Sequence, residues 1–244
     1  MKTKLQSTRV FFLGLLLFFA SAPAGATTLD LYEAIFNIDG KEYVLGDSVS
    51  LTANFTMDES AFDASTGLGT LSVHFSPGTA GDYFIGGFFD HEIIEEANYN
   101  ASDETGEAIG TPVAGQSWEI DEPGYSFGDI YDNLLNGTLD NKIFNDKTTA
   151  GGETIENDVS MAMGWNFTLG NERDIATVDF ILSDTAPTSG FYLVHTDPDS
   201  EYSIYLSSEL TIVPEPGTLL LMGCGLAGLA LFGRRQNWTD KKNS

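Results

Sequence analysis

Met161, Met163, Trp165, Phe167 and Leu169 alternate with Ala162, Gly164, Asn166 and Thr168. A period of two places the apolar set on one face of an extended strand, whereas a helix would scatter it around its axis. The same alternation runs through Val49, Leu51, Ala53 and Phe55, through Leu71, Val73 and Phe75, and through Val178, Phe180 and Leu182. Denser apolar runs at Tyr83 to Phe89 and Phe191 to His195 suit central strands, and Tyr202 to Leu206 and Leu210 to Val213 close the series. Turn-forming clusters separate these runs: Pro77-Gly78, Gly151-Gly152, Asp184 to Gly190 and Asp197-Pro198-Asp199. The expected fold is mainly β, an antiparallel β-sandwich of jelly-roll-like form. One helix is expected at Gly128 to Asn136, where Ile130, Leu134 and Tyr131, Leu135 have i, i+4 spacing and Gly137 supplies a stop. The carboxylate-rich stretch Asp90 to Gly152 alternates little and is read as a long excursion from the sandwich.

The two ends of the chain read differently. Lys2, Lys4 and Arg9 precede an apolar run from Val10 to Ala20, and Ala24-Gly25-Ala26 fits an A-x-A cleavage site after Ala26. These features predict an N-terminal signal helix that is removed on export, with Ala24 and Ala26 as the small residues at the cut. At the other end, Gly217 to Phe232 is a run of 16 residues without charge. As a helix it would be about 24 Å long, short of a hydrocarbon core of about 30 Å, so it can span with some bilayer thinning. Arg234 and Arg235 follow directly, and the positive-inside rule keeps that tail cytoplasmic and the preceding domain outside.

Between Thr27 and Val213 there are four basic residues, Lys41, Lys142, Lys147 and Arg173, against 34 acidic ones, a net charge of −30. Such a surface repels phosphate backbones, which excludes nucleic acid as a partner, and attracts cations. The only cysteine, Cys224, lies in the C-terminal apolar run, so disulfides, thiol catalysis and cysteine metal sites are excluded from the domain. The domain must be held by its core or by bound ions.

Catalytic patterns are absent. Asp90-His91-Glu92-Ile93-Ile94-Glu95 lacks the second histidine of a zinc-protease helix, and His74, His91 and His195 are read as surface or strand-end residues. There is no G-x-S-x-G elbow and no phosphate-cradling loop. Trp118-Glu119-Ile120-Asp121-Glu122-Pro123 sets carboxylates beside an aromatic, and this leaves a surface glycoside hydrolase as the least favoured alternative. Asp197, Asp199 and Glu201 present oxygens at alternate positions and are the candidate ligands for Ca²⁺, though Tyr202 stands where an EF-hand has glycine. Asp129, Asp132, Asp140 and Asp146 form a second acidic patch. A carbohydrate- or calcium-binding module is the main alternative to a purely structural role, with Trp118 as an exposed aromatic.

Val213-Pro214-Glu215-Pro216-Gly217, an apolar segment and Gly233-Arg234-Arg235 follow one another in that order. Together they resemble the PEP-CTERM sorting signal of Gram-negative bacteria. The resemblance covers about the last 31 residues, and a signal peptide is its expected companion. It implies that exosortase, a membrane enzyme, reads Pro214, Glu215 and Pro216 and cuts near them. It further implies a transient stay in the inner membrane, delivery to the cell surface or medium, and a link to exopolysaccharide and biofilm matrix. The expected organisation is a signal peptide at 1–26, an exported acidic sandwich at 27–212 and a sorting segment at 213–244. That segment divides into a motif at 213–217, a transmembrane helix at 217–232 and a basic tail at 233–244.

Overall fold

The computed structural model describes residues 27–48, 54–95, 104–124, 128–144, 149–150, 153–154, 158–198, 200–214 and 226. In chain order the strands are β1 (Thr27–Ile38), β2 (Lys41–Val44), β3 (Phe55–Asp63), β4 (Leu68–Phe75), β5 (Gly81–Glu95), β6 (Thr105–Ile109) and β7 (Gln116–Asp121). Helix α1 (Ile130–Asn136) follows, then β8 (Thr149–Ala150), β9 (Glu153–Thr154), β10 (Ser160–Leu169), β11 (Ile175–Ser183), β12 (Tyr192–Asp197) and β13 (Tyr202–Val213). The first sheet has the order β2-β1-β5-β10-β7 and the second the order β3-β4-β11-β13-β12-β6, with β8 and β9 as a separate hairpin. Every strand pairing is antiparallel.

Alternation decides which side chains meet. From the first sheet Phe36, Ile85, Phe89, Met161, Met163 and Trp165 enter a shared apolar core, and from the second come Leu71, Val73, Val178, Phe180, Leu193 and Leu206. The rings of Phe36 and Phe180 lie 5.6 Å apart and those of Phe89 and Phe180 lie 5.8 Å apart, so Phe180 joins the two sheets. Gly87 leaves the space for this trio, because a Cβ there would stand 3.1 Å from Phe36 and 3.2 Å from Phe180. Burying rings of this size supplies most of what a cysteine-free domain needs.

The opposite face of the first sheet is half covered. Ile35, Phe88 and Ala162 point away from the shared core and are buried under Ile130, Leu134 and Leu139. Helix α1 forms where expected, and Gly137 ends it in the left-handed region (φ 68°) with its N–H returned to Leu134. The helix is tied down at its far turn by Asn37, whose Nδ2 donates to the carbonyls of Leu134 and Leu135 at 2.8 and 2.9 Å.

Two expectations change. The stretch Asp90 to Gly152 leaves the two sheets only after β7: β5 runs on to Glu95, β6 and β7 each add an edge strand, and α1 and the β8–β9 hairpin then lie outside both sheets. Its alternation is hidden where both faces of a strand are buried, as at Glu119, Ile120 and Asp121. Tyr202 to Leu206 and Leu210 to Val213 are one strand, β13. The expected signal helix, most of the expected transmembrane helix and Val49 to Ala53 lie outside the described residues. Among the described residues no helix is long and apolar enough to cross a membrane.

Candidate functional site

Two ends of the covered face carry the polar chemistry of the domain. At one end, Glu119 and Asp121 stand on the face of β7 that turns toward α1, and Asp129 sits just before the first turn of that helix. One carboxylate oxygen from each lies within 4.8 Å of the others. Glu119 is fully buried, Asp121 nearly so, and Asp129 is exposed. Backbone and amide donors hold the set in place. Asn133 Nδ2 donates to Glu119 Oε1 at 3.0 Å, and the Asp140 N–H donates to Glu119 Oε2 at 2.8 Å. The N–H groups of Glu122 and Asp129 donate to the two oxygens of Asp121 at 2.8 and 2.9 Å. Gly128 allows the chain to pass this close, since a Cβ there would meet the Glu122 carbonyl at 2.1 Å.

None of these three carboxylates forms an ion pair among the described residues. Burial pushes Glu119 up to about 7, with Asp129 and Asp140 adding to the rise and the Asp140 and Asn133 donors opposing it. Burial also raises Asp121, against the pull of its two backbone donors. The group is therefore oxygen-rich, partly preorganised and short of positive charge.

A second acidic centre lies where β5, β10, β6 and β12 come together. Asp90 accepts from Ser160 Oγ at 3.1 Å across the β5–β10 pair, and Glu104 Oε2 accepts from the Val159 N–H at 3.0 Å. His195 Nε2 lies 2.9 Å from the same Glu104 oxygen, out of line for a ring N–H hydrogen bond. Burial, with repulsion from Asp158, pushes Asp90 up to about 8. Asp158 rises to about 7, first through burial and then through Glu104 and Glu92. His91 is held down at about 4 by burial and by the neighbouring His195.

The two histidines differ from the surface positions expected of them. His91 shares the inward face of β5 with Phe89 and Ile93, and His195 shares that of β12 with Leu193, so both are buried. His91 Nε2 is 3.2 Å from the Gly67 carbonyl, and a Cβ on Gly67 would overlap the ring. Trp118 is likewise no exposed platform. It is half-buried against Phe191, with ring centroids 5.6 Å apart. Of the candidate calcium ligands, Asp197 is buried and accepts from Ser200 Oγ at 3.2 Å, Glu201 is exposed with φ 57°, and Asp199 lies outside the described residues. Ala24, Ala26, Glu215, Pro216, Arg234 and Arg235 lie outside them too.

The C-terminal end of the folded part is defined. β13 pairs with β11 as far as Val213 opposite Ile175, and exposed Pro214 follows at once. Proline has no N–H to give a ladder, which is a physical reason for the sheet to stop there. Residues 213–236 match the sequence model of the PEP-CTERM protein-sorting motif. The chain carries a PEP-CTERM sorting signal. No curated protein and no solved structure matches the chain. The PEP-CTERM motif marks an exported protein addressed to exosortase, and its first residue is the last residue of β13. No spacer separates the folded sheets from the signal.

The sorting motif was visible in the sequence because it is linear. The Glu119, Asp121 and Asp129 group was only half visible: Asp129 stood in the second acidic patch, while Glu119 and Asp121 read as neighbours of Trp118. Two acids at i, i+2 on a strand share a face, and that spacing was the available signal.

Proposed function

We propose that the chain is a surface or matrix protein whose folded part is released from its membrane segment by exosortase. The observation that carries this reading is the PEP-CTERM motif, beginning on the last residue of β13. In this reading the signal peptide is cut after Ala26, Pro214, Glu215 and Pro216 are read by the enzyme, and Arg234 and Arg235 hold the tail inside. The delivered domain is an antiparallel sandwich, with the jelly-roll-like winding part of the same proposal, and residues 27–212 make it up. The core that the two sheets share supports that form. Its acidity suits a hydrated, cation-rich exopolysaccharide matrix.

The test is sorting of the Glu215→Ala chain beside wild type. The variant is expected to stay in the inner-membrane fraction at the mass of the uncut chain, while wild type leaves it. A variant that matured and localised as wild type would sink the proposal.

A second reading is a calcium-stabilised module. Glu119, Asp121 and Asp129 support it, being three close carboxylates with no ion partner among the described residues. Asp197, Asp199 and Glu201 are the further candidates. Adding millimolar Ca²⁺ to chelator-treated full-length chain at pH 7.5 is expected to raise the unfolding midpoint, and Asp121→Asn is expected to remove most of the rise. An unchanged midpoint would end this reading and leave the sorting proposal standing.

A further inference from the structure

At the other end of the covered face lies a cleft of about 390 Å³, beyond the C-terminus of α1. Asp82 and Phe84 on β5 and Asn166 and Thr168 on β10 line it, with Asp39 from the β1–β2 turn. The register explains the grouping, since Phe84 stands opposite Asn166 and Asp82 opposite Thr168. All four follow the parity of Gly86 and Gly164, away from the shared core. Asp39 is held beside them by its N–H, which donates to the Phe84 carbonyl at 2.8 Å.

The Phe84 ring is set into the surface by glycines. A Cβ on Gly164 would stand 2.6 Å from its tip, one on Gly86 2.8 Å, and one on Gly137 3.4 Å from the base of the ring. Side chains at any of these positions would press on the ring, so the three glycines fix an aromatic that is half-buried and still borders the cleft. Around it the hydrogen-bonding groups are short and partly locked, with Thr168 Oγ1 donating to Asp82 Oδ1 at 2.6 Å.

We propose that this cleft binds a sugar unit of a polysaccharide without acidic groups. The negative face of an aromatic ring attracts the weakly positive C–H face of a pyranose. Carboxylates and an amide at the rim accept and donate to its hydroxyls in paired fashion. Asp39 and Asp82 repel uronate and sulfate, and among the described residues the lining has no Lys or Arg to offset them. Neutral and amine-bearing glycans fit the same set of groups. The proposal gives the delivered domain a ligand, and it rests on the folded part alone, so its failure leaves the sorting proposal untouched.

Native affinity electrophoresis tests it, with full-length chain in mild detergent run through gels containing dextran, hydroxyethyl cellulose, glycol chitosan or alginate. Retardation is expected in at least one of the first three and not in alginate. Phe84→Leu fills the glycine-lined space without an aromatic face and is expected to weaken that binding by about fivefold or more. Asp82→Ala, at an exposed position, is expected to weaken it as well, and carries the test if circular dichroism shows that Phe84→Leu has lost the fold. The proposal is overturned if none of the three non-acidic glycans retards the chain, if alginate retards it most, or if folded variants run as wild type.

Discussion

Phe180→Ala is expected to lower the stability of the folded part by about 3–5 kcal/mol, the range for removing a fully buried ring. Phe180 is fully buried on β11, which pairs with β4 on one side and β13 on the other. Its ring meets Phe36 and Phe89 of the facing sheet. The cavity left behind is hard to fill from Gly87, which faces the ring and has no side chain to move in. A loss of that size is a large part of the 5–15 kcal/mol typical of a domain. Denaturant titration of the full-length chain checks it, read as a fall in midpoint at unchanged slope. A shift below about 1 kcal/mol would mean that the two sheets do not share this contact.

Stability is expected to fall as pH rises from about 5 to about 8, the reverse of what paired surface carboxylates give. Asp90 at about 8, and Asp158 and Glu119 at about 7, lie well above the ordinary values of 3.8 and 4.5. The sign follows from proton counting. Between the unfolded and folded values, the unfolded chain has released these protons and the folded chain retains them, so raising pH favours unfolding. His91 acts in the opposite direction, because its folded value of about 4 lies below 6.5. It therefore lowers stability as pH falls through that window. Below pH 6.5 it offsets part of the carboxylate effect, and above 6.5 the carboxylates act alone. One pKa unit corresponds to about 1.4 kcal/mol, and water entering around ionised sites reduces the total. A drop in unfolding midpoint of about 5–10 °C from pH 5 to pH 8 is expected for a domain of this size. Asp90→Asn, which keeps a partner for Ser160 and removes the titration, is expected to flatten the upper part of the profile. A midpoint that rises with pH across this range would contradict the burial of these groups.

The strands with one buried and one open face were legible in the sequence, as β4 and β11 show, and β10 was legible because the residues it turns toward α1 are the small Ser160, Ala162 and Gly164. So was α1, through its i, i+4 pairs and Gly137. β1 was not legible, for a physical reason. Ile35 is buried under α1 while Phe36 is buried in the shared core, and a register shift between Leu31 and Glu33 breaks the parity. A strand covered on both sides has no period of two to show. His91 and His195 misled in the same way, because a polar residue at an inward position looks like a break in the pattern.

Sites divide along similar lines. The sorting motif is read by another protein as a linear string, and a string is what a sequence displays. The cleft is assembled from Asp39, Asp82, Phe84, Asn166 and Thr168, which only the β5–β10 register and the β1–β2 turn bring together. Nothing local marks those residues. Glu119, Asp121 and Asp129 fall between the two cases, since the strand spacing of the first pair was visible and the return of the chain through Gly128 was not.

In the proposed function, exosortase separates the folded part from its anchor at the end of β13. Intact-mass and terminal-peptide spectrometry of the protein from cells with and without the enzyme tests it directly. With the enzyme, the mature chain is predicted to begin at Thr27 and to end near Pro214 to Pro216, without the apolar segment. Without it, the chain is predicted to extend to Ser244. A chain that ends at Ser244 in both strains, or has the same shortened end in both, would contradict the account.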